Sequence, residues 1–147
     1  QIFALSFTNY PGDVIKFRKL IGAKKFLISK IETKNAVKHF RNISILSNAT
    51  LIDRGDLSRY IDIVKIPKVQ EKILTNSRKL KKPVYIATNL LETMTSKPSP
   101  TRAEANDIYY SLKSGAKGLV LAAETAIGKY PIECVKFIKK FINYGKI

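Results

Sequence analysis

The sequence has little of what disulfide-stabilised and thiolate-metal proteins need. It contains one cysteine, Cys134, and one histidine, His39. A single cysteine excludes an internal disulfide and a cluster of thiolate ligands. Cys134 lies in an apolar stretch with helical spacing, which predicts a small buried residue. His39 falls near the end of a predicted helix and is expected at the surface.

Long apolar runs are also absent. No stretch reaches the roughly 20 apolar residues of a membrane-spanning helix, and no signal-peptide pattern opens the chain. These absences predict that a membrane is not a partner, and they favour a cytoplasmic location while leaving an organellar one open. Since a predicted strand begins directly after Gln1 and the only methionine is Met94, we interpret the chain as a piece of a longer polypeptide. Any targeting segment would then lie outside these residues.

Acidic residues are few. Lysine and arginine total 27 against 11 acidic residues, which gives a net charge of +16. A charge this high is compatible with nucleic acid as a partner. The excess is mostly lysine, scattered over helices and loops, whereas arginine, the residue preferred for bidentate phosphate recognition, is scarce. A solvated basic surface is therefore the favoured interpretation, with a polyanion-binding face as the alternative. The largest clusters of lysine are at 79–82 and 136–140.

Strand-like and helix-like segments alternate along the chain. Segments with strand character occur at 2–7, 25–29, 49–53, 83–88 and 118–122, and segments with helical spacing occur at 13–20, 34–41, 64–80, 103–113 and 132–144. Strands that alternate with helices are typical of βαβ units and a parallel sheet. The sequence therefore predicts an α/β fold with about five parallel β/α units.

Two of the predicted strands end in charged residues. The segment ISKIE carries Lys30 and Glu32, and the segment DRGDL carries Arg54 and Asp56. Side chains two apart on a strand point to the same side, so Lys30 and Glu32 are expected to emerge together at a carboxyl end, where parallel α/β proteins build their sites. A lysine with two carboxylates suits a divalent metal ion and a phosphate. Salt bridges from the two acids to Lys30 or Arg54 are the structural alternative.

Five motifs in order along the chain resemble pyruvate kinase. They are ISKIE at 28–32, DRGDL at 53–57, IATNLLETM at 86–94, PTRAE at 100–104 and ETAIGKYP at 124–131. The resemblance covers essentially all of the chain and implies strands four to eight of the (β/α)₈ TIM barrel of that family. Because a closed barrel takes about 250 residues, residues 1–147 are expected to form one partial barrel domain. The first three strands, the lid domain and the C-terminal domain of the family are expected to be absent.

The resemblance also implies roles for single residues. Lys30 would lie beside the transferring phosphoryl group, where catalysis depends on positioning and charge stabilisation. Thr88 would lie near the methyl or methylene end of the substrate and take part in protonating the enolate. Glu32 and Asp56 would hold Mg²⁺ or Mn²⁺, since hard oxygen ligands suit these ions.

Three further assignments follow from the same resemblance. Gly55, with Asp56 and Thr88, would bind the substrate, because missing side-chain bulk lets backbone N–H groups approach its carboxylate. Arg102 is expected at a subunit interface, with a solvent-exposed arginine as the alternative. Glu124 and Thr125, just after the last predicted strand, would line the mouth of the barrel.

For the complete protein, the resemblance implies transfer of a phosphoryl group from phosphoenolpyruvate to ADP, giving pyruvate and ATP, with Mg²⁺ or Mn²⁺ and with K⁺. ADP and ATP would bind only with the missing half, so this chain alone is predicted to be inactive. An open half barrel leaves unpaired edge strands, which invite pairing with other strands. Another chain or a second copy is therefore expected to complete the barrel.

Departures from the family pattern support an alternative hypothesis. Ser58 stands where the family usually has glycine, and Ala122 and Ala123 stand where Ser-Gly usually precedes the Glu-Thr pair. The alternative is a catalytically inactive, pyruvate kinase-like scaffold or interaction module of a larger assembly. Its basic surface would then associate with nucleic acid, which is not the favoured partner.

Overall fold

A single sheet of parallel strands organises the part of the chain that the structure, a computed structural model, describes, which is residues 1–144. Its strands follow one another in chain order as β1 (Ile2–Leu5), β2 (Phe26–Ile31), β3 (Ala49–Asp53), β4 (Val84–Ala87) and β5 (Gly118–Val120). Every neighbouring pair is parallel. The predicted α/β fold with about five parallel β/α units is confirmed.

Helices connect the strands and follow the last one. They are α1 (Pro11–Ile21), α2 (Lys34–Lys38), α3 (Phe40–Leu46), α4 (Arg54–Leu57), α5 (Ile66–Leu80), α6 (Arg102–Lys113), α7 (Ala123–Ala126) and α8 (Pro131–Tyr144). Two 3₁₀ turns, Ile63–Lys65 and Glu92–Thr95, lie between longer elements. Within residues 1–144, no helix has both the length and the apolar composition that crossing a membrane requires.

Local backbone geometry explains where the predicted boundaries were wrong. The helix expected at 34–41 is two helices, because His39 (φ −97°, ψ 11°) interrupts the helical path. The first strand stops at Leu5 instead of residue 7, since Phe7 has a φ of +50°. The second strand is longer than expected and includes Lys30, which pairs with Leu51. The short helices α4 and α7 have too few residues for a periodic pattern to indicate them.

Two predictions for single residues have different outcomes. Cys134 is completely buried, as predicted. His39 is half-buried instead of fully at the surface, because its ring packs against the ring of Tyr10, with 5.3 Å between the centroids.

The sheet has one covered face and one open face. Leu27, Ile52 and Ile86 point toward the helices and are completely buried; burying such a side chain contributes about 1.5–3 kcal/mol. Side chains alternate along a strand, so the residues beside them face the other way. On that opposite face, Ile2 is 72% exposed and Val120 is 38% exposed. We call this open face the inner face of the sheet; it also carries Lys30 and Asp53.

Candidate active site

The carboxyl ends of β2 and β3 bring a lysine and several acids together. Lys30 lies in β2 opposite Leu51 of β3, so Asp53, two residues after Leu51, projects to the same face as Lys30. Asp53 also begins α4, because its side chain accepts a hydrogen bond from the backbone N–H of Asp56 at 3.5 Å. This Asp cap turns the chain at the end of β3 and brings Asp56 to the same end of the sheet.

Lys30 is the central positive charge of the site. Its Nζ lies 2.5 Å from Oε1 of Glu32 and 3.0 Å from Oδ2 of Asp53. Burial alone would lower the pKa of Lys30, but the close carboxylates of Glu32 and Asp53 outweigh it and raise that pKa above its ordinary value. Lys30 therefore remains an ammonium ion at neutral pH. The salt bridge between Glu32 and Lys30, which was the structural alternative to a metal site, is therefore present.

Glu32 is completely buried and lies just after β2. Its Oε2 accepts a hydrogen bond from the backbone N–H of Phe7. Its Oε1 faces Lys30 as an ion pair by distance but has no hydrogen-bond partner of suitable angle. The contact is an ion pair, because Coulomb attraction needs proximity and not hydrogen-bond geometry. Oε1 thus retains lone pairs directed into the site.

Three carboxylates of the described residues have the spacing of a metal site. One oxygen each from Glu32, Asp53 and Asp56 lies within 4.8 Å of the other two. Asp56 has one ionic partner among the described residues, the exposed Arg59, whose Nη1 is 3.4 Å from Oδ1. Carboxylate oxygens are the ligands that Mg²⁺ and Mn²⁺ prefer. The lone pairs of Glu32 and this donor set fit a hard divalent cation.

Thr88 approaches the acids from the end of β4. Its hydroxyl donates a hydrogen bond to Oδ1 of Asp53 at 2.6 Å. The residue has a φ of +77°, a left-handed conformation that β-branched side chains rarely adopt. A Cβ built on Gly55 would lie 2.8 Å from the methyl carbon of Thr88. Glycine at position 55 is therefore required by the closeness of Thr88, a reason that the sequence did not reveal.

Arg54 binds both to the residue that follows β4 and to α6. Its Nη2 donates to the backbone carbonyl of Thr88 at 2.8 Å, and its Nη1 donates to both carboxylate oxygens of Asp107 at 2.8 and 2.7 Å. The structural alternative of a salt bridge from Arg54 to the site acids is therefore wrong, because Arg54 pairs with Asp107 instead. Sequence reasoning missed Asp53 and Asp107 as part of this cluster; Asp53 lies inside the DRGDL motif, which was the available signal.

Comparisons with known proteins identify the family. The family model described as pyruvate kinase, barrel domain, matches residues 1–135. This chain belongs to the pyruvate kinase family. It is 43% identical to pyruvate kinase of Thermotoga maritima over 143 residues, which are 95% of this chain and 31% of that protein. It is 40% identical to a pyruvate kinase of Agrobacterium vitis, covering 95% of this chain and 29% of the relative.

A plastid protein is also similar. Pyruvate kinase isozyme G, chloroplastic, of Nicotiana tabacum is 38% identical over 92% of this chain and 25% of its own length. The chain thus spans roughly 25–31% of the length of the three relatives described. The five-stranded parallel sheet is part of the pyruvate kinase barrel domain, which confirms the predicted partial (β/α)₈ barrel.

Other residues predicted from the pyruvate kinase motifs lie outside this cluster. Glu124 is buried and its carboxylate accepts hydrogen bonds from the backbone N–H groups of Leu91 and Ala122, at 3.1 and 2.8 Å. Arg102 is exposed at the start of α6, and its interface role stays a prediction. Ser58 has ordinary helical dihedral angles (φ −66°, ψ −17°), so the glycine usual in the family is not required there.

Proposed function

We propose that this chain forms the metal- and phosphoenolpyruvate-binding part of a pyruvate kinase. The complete polypeptide would transfer the phosphoryl group of phosphoenolpyruvate to ADP, giving pyruvate and ATP. The observation that carries the proposal is the convergence of Lys30, Glu32, Asp53 and Asp56 at one end of the sheet, in a chain of the pyruvate kinase family.

The metal ligands in this proposal are Glu32 and Asp56. The buried Oε1 of Glu32 has no hydrogen-bond partner of suitable angle, and Asp56 has only a long contact to an exposed arginine. A bound Mg²⁺ or Mn²⁺ would supply positive charge to the phosphoryl and enolate oxygens. K⁺ is proposed as a second cation of the complete protein, with ligands from outside this chain.

Lys30 and Thr88 have the proposed chemical roles. Lys30 carries a positive charge held between two acids, and this charge would stabilise the oxygens of the phosphoryl group during a loose transition state. After transfer, the enolate of pyruvate must gain a proton at its methylene carbon. Thr88 would lie beside that carbon, and Gly55 leaves the space in which Thr88 and the substrate carboxylate approach.

ADP binding is proposed to need strands from outside this chain. Ile2 and Val120 are exposed on the inner face, in the two edge strands of the sheet. Exposed apolar edge strands favour pairing with further strands. We infer that the first three strands of the barrel come from elsewhere in the same polypeptide, or from another chain or a second copy. The proposed compartment is the cytoplasm or an organelle; two matching relatives are named as chloroplastic.

The barrel proposal has a direct test. Residues 1–147 alone should bind a hydrophobic dye or self-associate in light scattering, and they should give no turnover with phosphoenolpyruvate and ADP in an assay coupled to lactate formation. Adding the remaining strands should suppress dye binding and restore turnover. A monomer that binds no dye, or that turns over alone, would contradict the proposal.

The catalytic proposal is tested in the complete polypeptide. Lys30→Met should lower kcat by about 100–1,000-fold, the usual cost of removing one transition-state donor. Lys38→Met is the matched control, since Lys38 is exposed on α2 and, within the described residues, forms no ion pair with the acids of the site. Equal activity of the wild type and Lys30→Met would refute the role of Lys30.

The metal proposal has a separate readout. Mn²⁺ bound to the complete polypeptide can be followed by electron paramagnetic resonance without substrate. Asp56→Ala should weaken binding by about tenfold or more, whereas Asp62→Ala, an exposed acid outside the site, should not. Equal affinity in all three proteins would remove Asp56 from the ligand set.

The alternative, an inactive scaffold or interaction module, predicts different results. It would give no turnover in the complete polypeptide, and a polyanion would bind the exposed Lys136, Lys139 and Lys140 of α8. Nucleic-acid affinity that survives physiological salt and is lost when these three lysines become glutamate would favour this alternative. Weak affinity that disappears with salt is expected of scattered lysines, because counterion release makes such binding steeply salt-dependent.

A further inference from the structure

Asp53 occupies a position between the two proposed catalytic side chains. Its Oδ2 lies 3.0 Å from Nζ of Lys30, and its Oδ1 accepts the hydroxyl hydrogen of Thr88 at 2.6 Å. Resting on the proposed function, we propose that Asp53 is a positioning residue that couples Lys30 to Thr88 and sets the direction of the Thr88 hydroxyl.

The coupling follows from how a carboxylate binds. An ionised aspartate only accepts hydrogen bonds, so the Thr88 hydrogen points to Asp53. The lone pairs of the Thr88 oxygen can then accept from a solvent water, which is the proposed source of the proton that the enolate carbon gains. The second oxygen of the same rigid carboxylate holds the Lys30 ammonium. If either Lys30 or Thr88 moves, the carboxylate of Asp53 therefore turns and shifts the other partner.

Thr88 needs this support because its backbone is strained. Its φ of +77° is unfavourable for a β-branched residue, and such conformations cost about 1–3 kcal/mol and persist where the surroundings hold them. Asp53 holds the hydroxyl, Arg54 holds the carbonyl through two donors at 3.2 and 2.8 Å, and the bare Gly55 admits the methyl group. Among these three contacts, the one from Asp53 acts directly on the hydroxyl.

Positioning accounts for Asp53 better than metal ligation. Its Oδ1 already accepts the Thr88 hydroxyl at 2.6 Å, whereas, among the described residues, Oε1 of Glu32 has no hydrogen-bond partner of suitable angle and Asp56 has a single contact at 3.4 Å to an exposed arginine. Metal ligation through Oδ1 of Asp53 would break the hydrogen bond from Thr88. The two roles predict different effects of Asp53→Ala on metal affinity, which makes them separable.

A double-mutant cycle in the complete polypeptide tests the proposal. The measured quantity is the exchange of the pyruvate methyl protons with D₂O, followed by ¹H NMR. In this exchange pyruvate loses a methyl proton to give the enolate, and the enolate is then protonated again by deuterium. No phosphoryl transfer is involved. Asp53→Ala should slow exchange by about 10–100-fold, the usual cost of removing a supporting contact. In a Thr88→Val background, the same change should cost less than about threefold, since residues that act as a unit are non-additive.

Controls separate the positioning role from a merely structural one. Asp62→Ala removes another Asp cap, whose side chain accepts from the N–H of Val64 at 3.2 Å, and it should leave exchange unchanged. The isosteric Asp53→Asn enters the same cycle if the alanine variant does not fold. Equal losses from the Asp53 change in both backgrounds would overturn the proposal.

Three further outcomes are decisive. Mn²⁺ affinity, measured by electron paramagnetic resonance without substrate, should change less than about threefold in Asp53→Ala; a loss of about tenfold or more would make Asp53 a metal ligand and overturn the positioning role. A wild type with neither exchange nor turnover would refute the proposed function itself. A wild type with both, and an unaffected Asp53→Ala variant, would refute only the role of Asp53.

Discussion

Glu32 follows β2 and Glu124 lies just beyond β5, and both are buried, with 0% and 2% relative exposure. The carboxylate of Glu124 accepts from two backbone N–H groups, those of Leu91 and Ala122. Glu32 has one such bond, from Phe7, while its other oxygen faces the Lys30 side chain and lies near two more acids.

The difference between these glutamates separates a structural acid from a functional candidate. Backbone amides are fixed donors; one binds each carboxylate oxygen of Glu124, and together they tie separate segments of the chain to it. The partner of the second Glu32 oxygen is a side chain that can move, and a metal ion can share that oxygen. Burial of an acid therefore does not indicate its role, whereas the nature of its partners does.

The largest expected effect is on folding and concerns Glu124. Glu124→Ala should lower the free energy of unfolding by about 2–3 kcal/mol, because it leaves the buried N–H of Leu91 and the partly buried N–H of Ala122 without an acceptor. Urea denaturation of the complete polypeptide measures the change. Mn²⁺ affinity of the folded variant should match that of the wild type.

An altered Mn²⁺ affinity in Glu124→Ala would contradict the purely structural role of Glu124. It would mean that the loop after β5 contributes to the metal site. A loss of stability below about 0.5 kcal/mol would show that water or a backbone shift replaces the lost acceptor.

The second effect concerns metal binding and Glu32. Glu32→Gln keeps the shape of the side chain and an acceptor for Phe7, but it removes the charge beside Lys30. Mn²⁺ affinity should fall by about tenfold, or about 1.4 kcal/mol, with a smaller change in stability than Glu124→Ala causes. Electron paramagnetic resonance and urea denaturation on the same sample give both values; the opposite order of effects would reverse the two assignments.

The sequence predicted the sheet and part of the site for a definite physical reason. Alternation along a strand is local, so ISKIE sufficed to place Lys30 beside Glu32. The contacts that distinguish Glu32 from Glu124 are not local: they come from N–H groups 25 and 33 residues away in the chain. The link from Asp53 to Thr88 depends on the positive φ of Thr88, which no alternation pattern indicates.

The smallest effect concerns Glu104, which resembles Glu124 in its donors and differs in being only half-buried. Its carboxylate accepts from the N–H groups of Thr93 and Thr101, both at 2.7 Å, and forms a capping box at the start of α6. Burial alone would raise the pKa of Glu104, but the hydrogen bonds from Thr101 and Thr93 outweigh it and lower that pKa below its ordinary 4.5.

A lowered pKa fixes the sign of the pH dependence. The stabilisation by Glu104 is complete above the unfolded-state pKa of 4.5 and is lost as the pH falls through the lower folded-state value. Glu104→Gln should therefore cost about 0.5–1 kcal/mol at neutral pH, as expected for a partly exposed cap, and the gap to the wild type should close on acidification below pH 4.5. Urea denaturation of both proteins across this range measures the gap. A gap that stays constant with pH would mean that the charge of the Glu104 carboxylate does not contribute to the stability of α6.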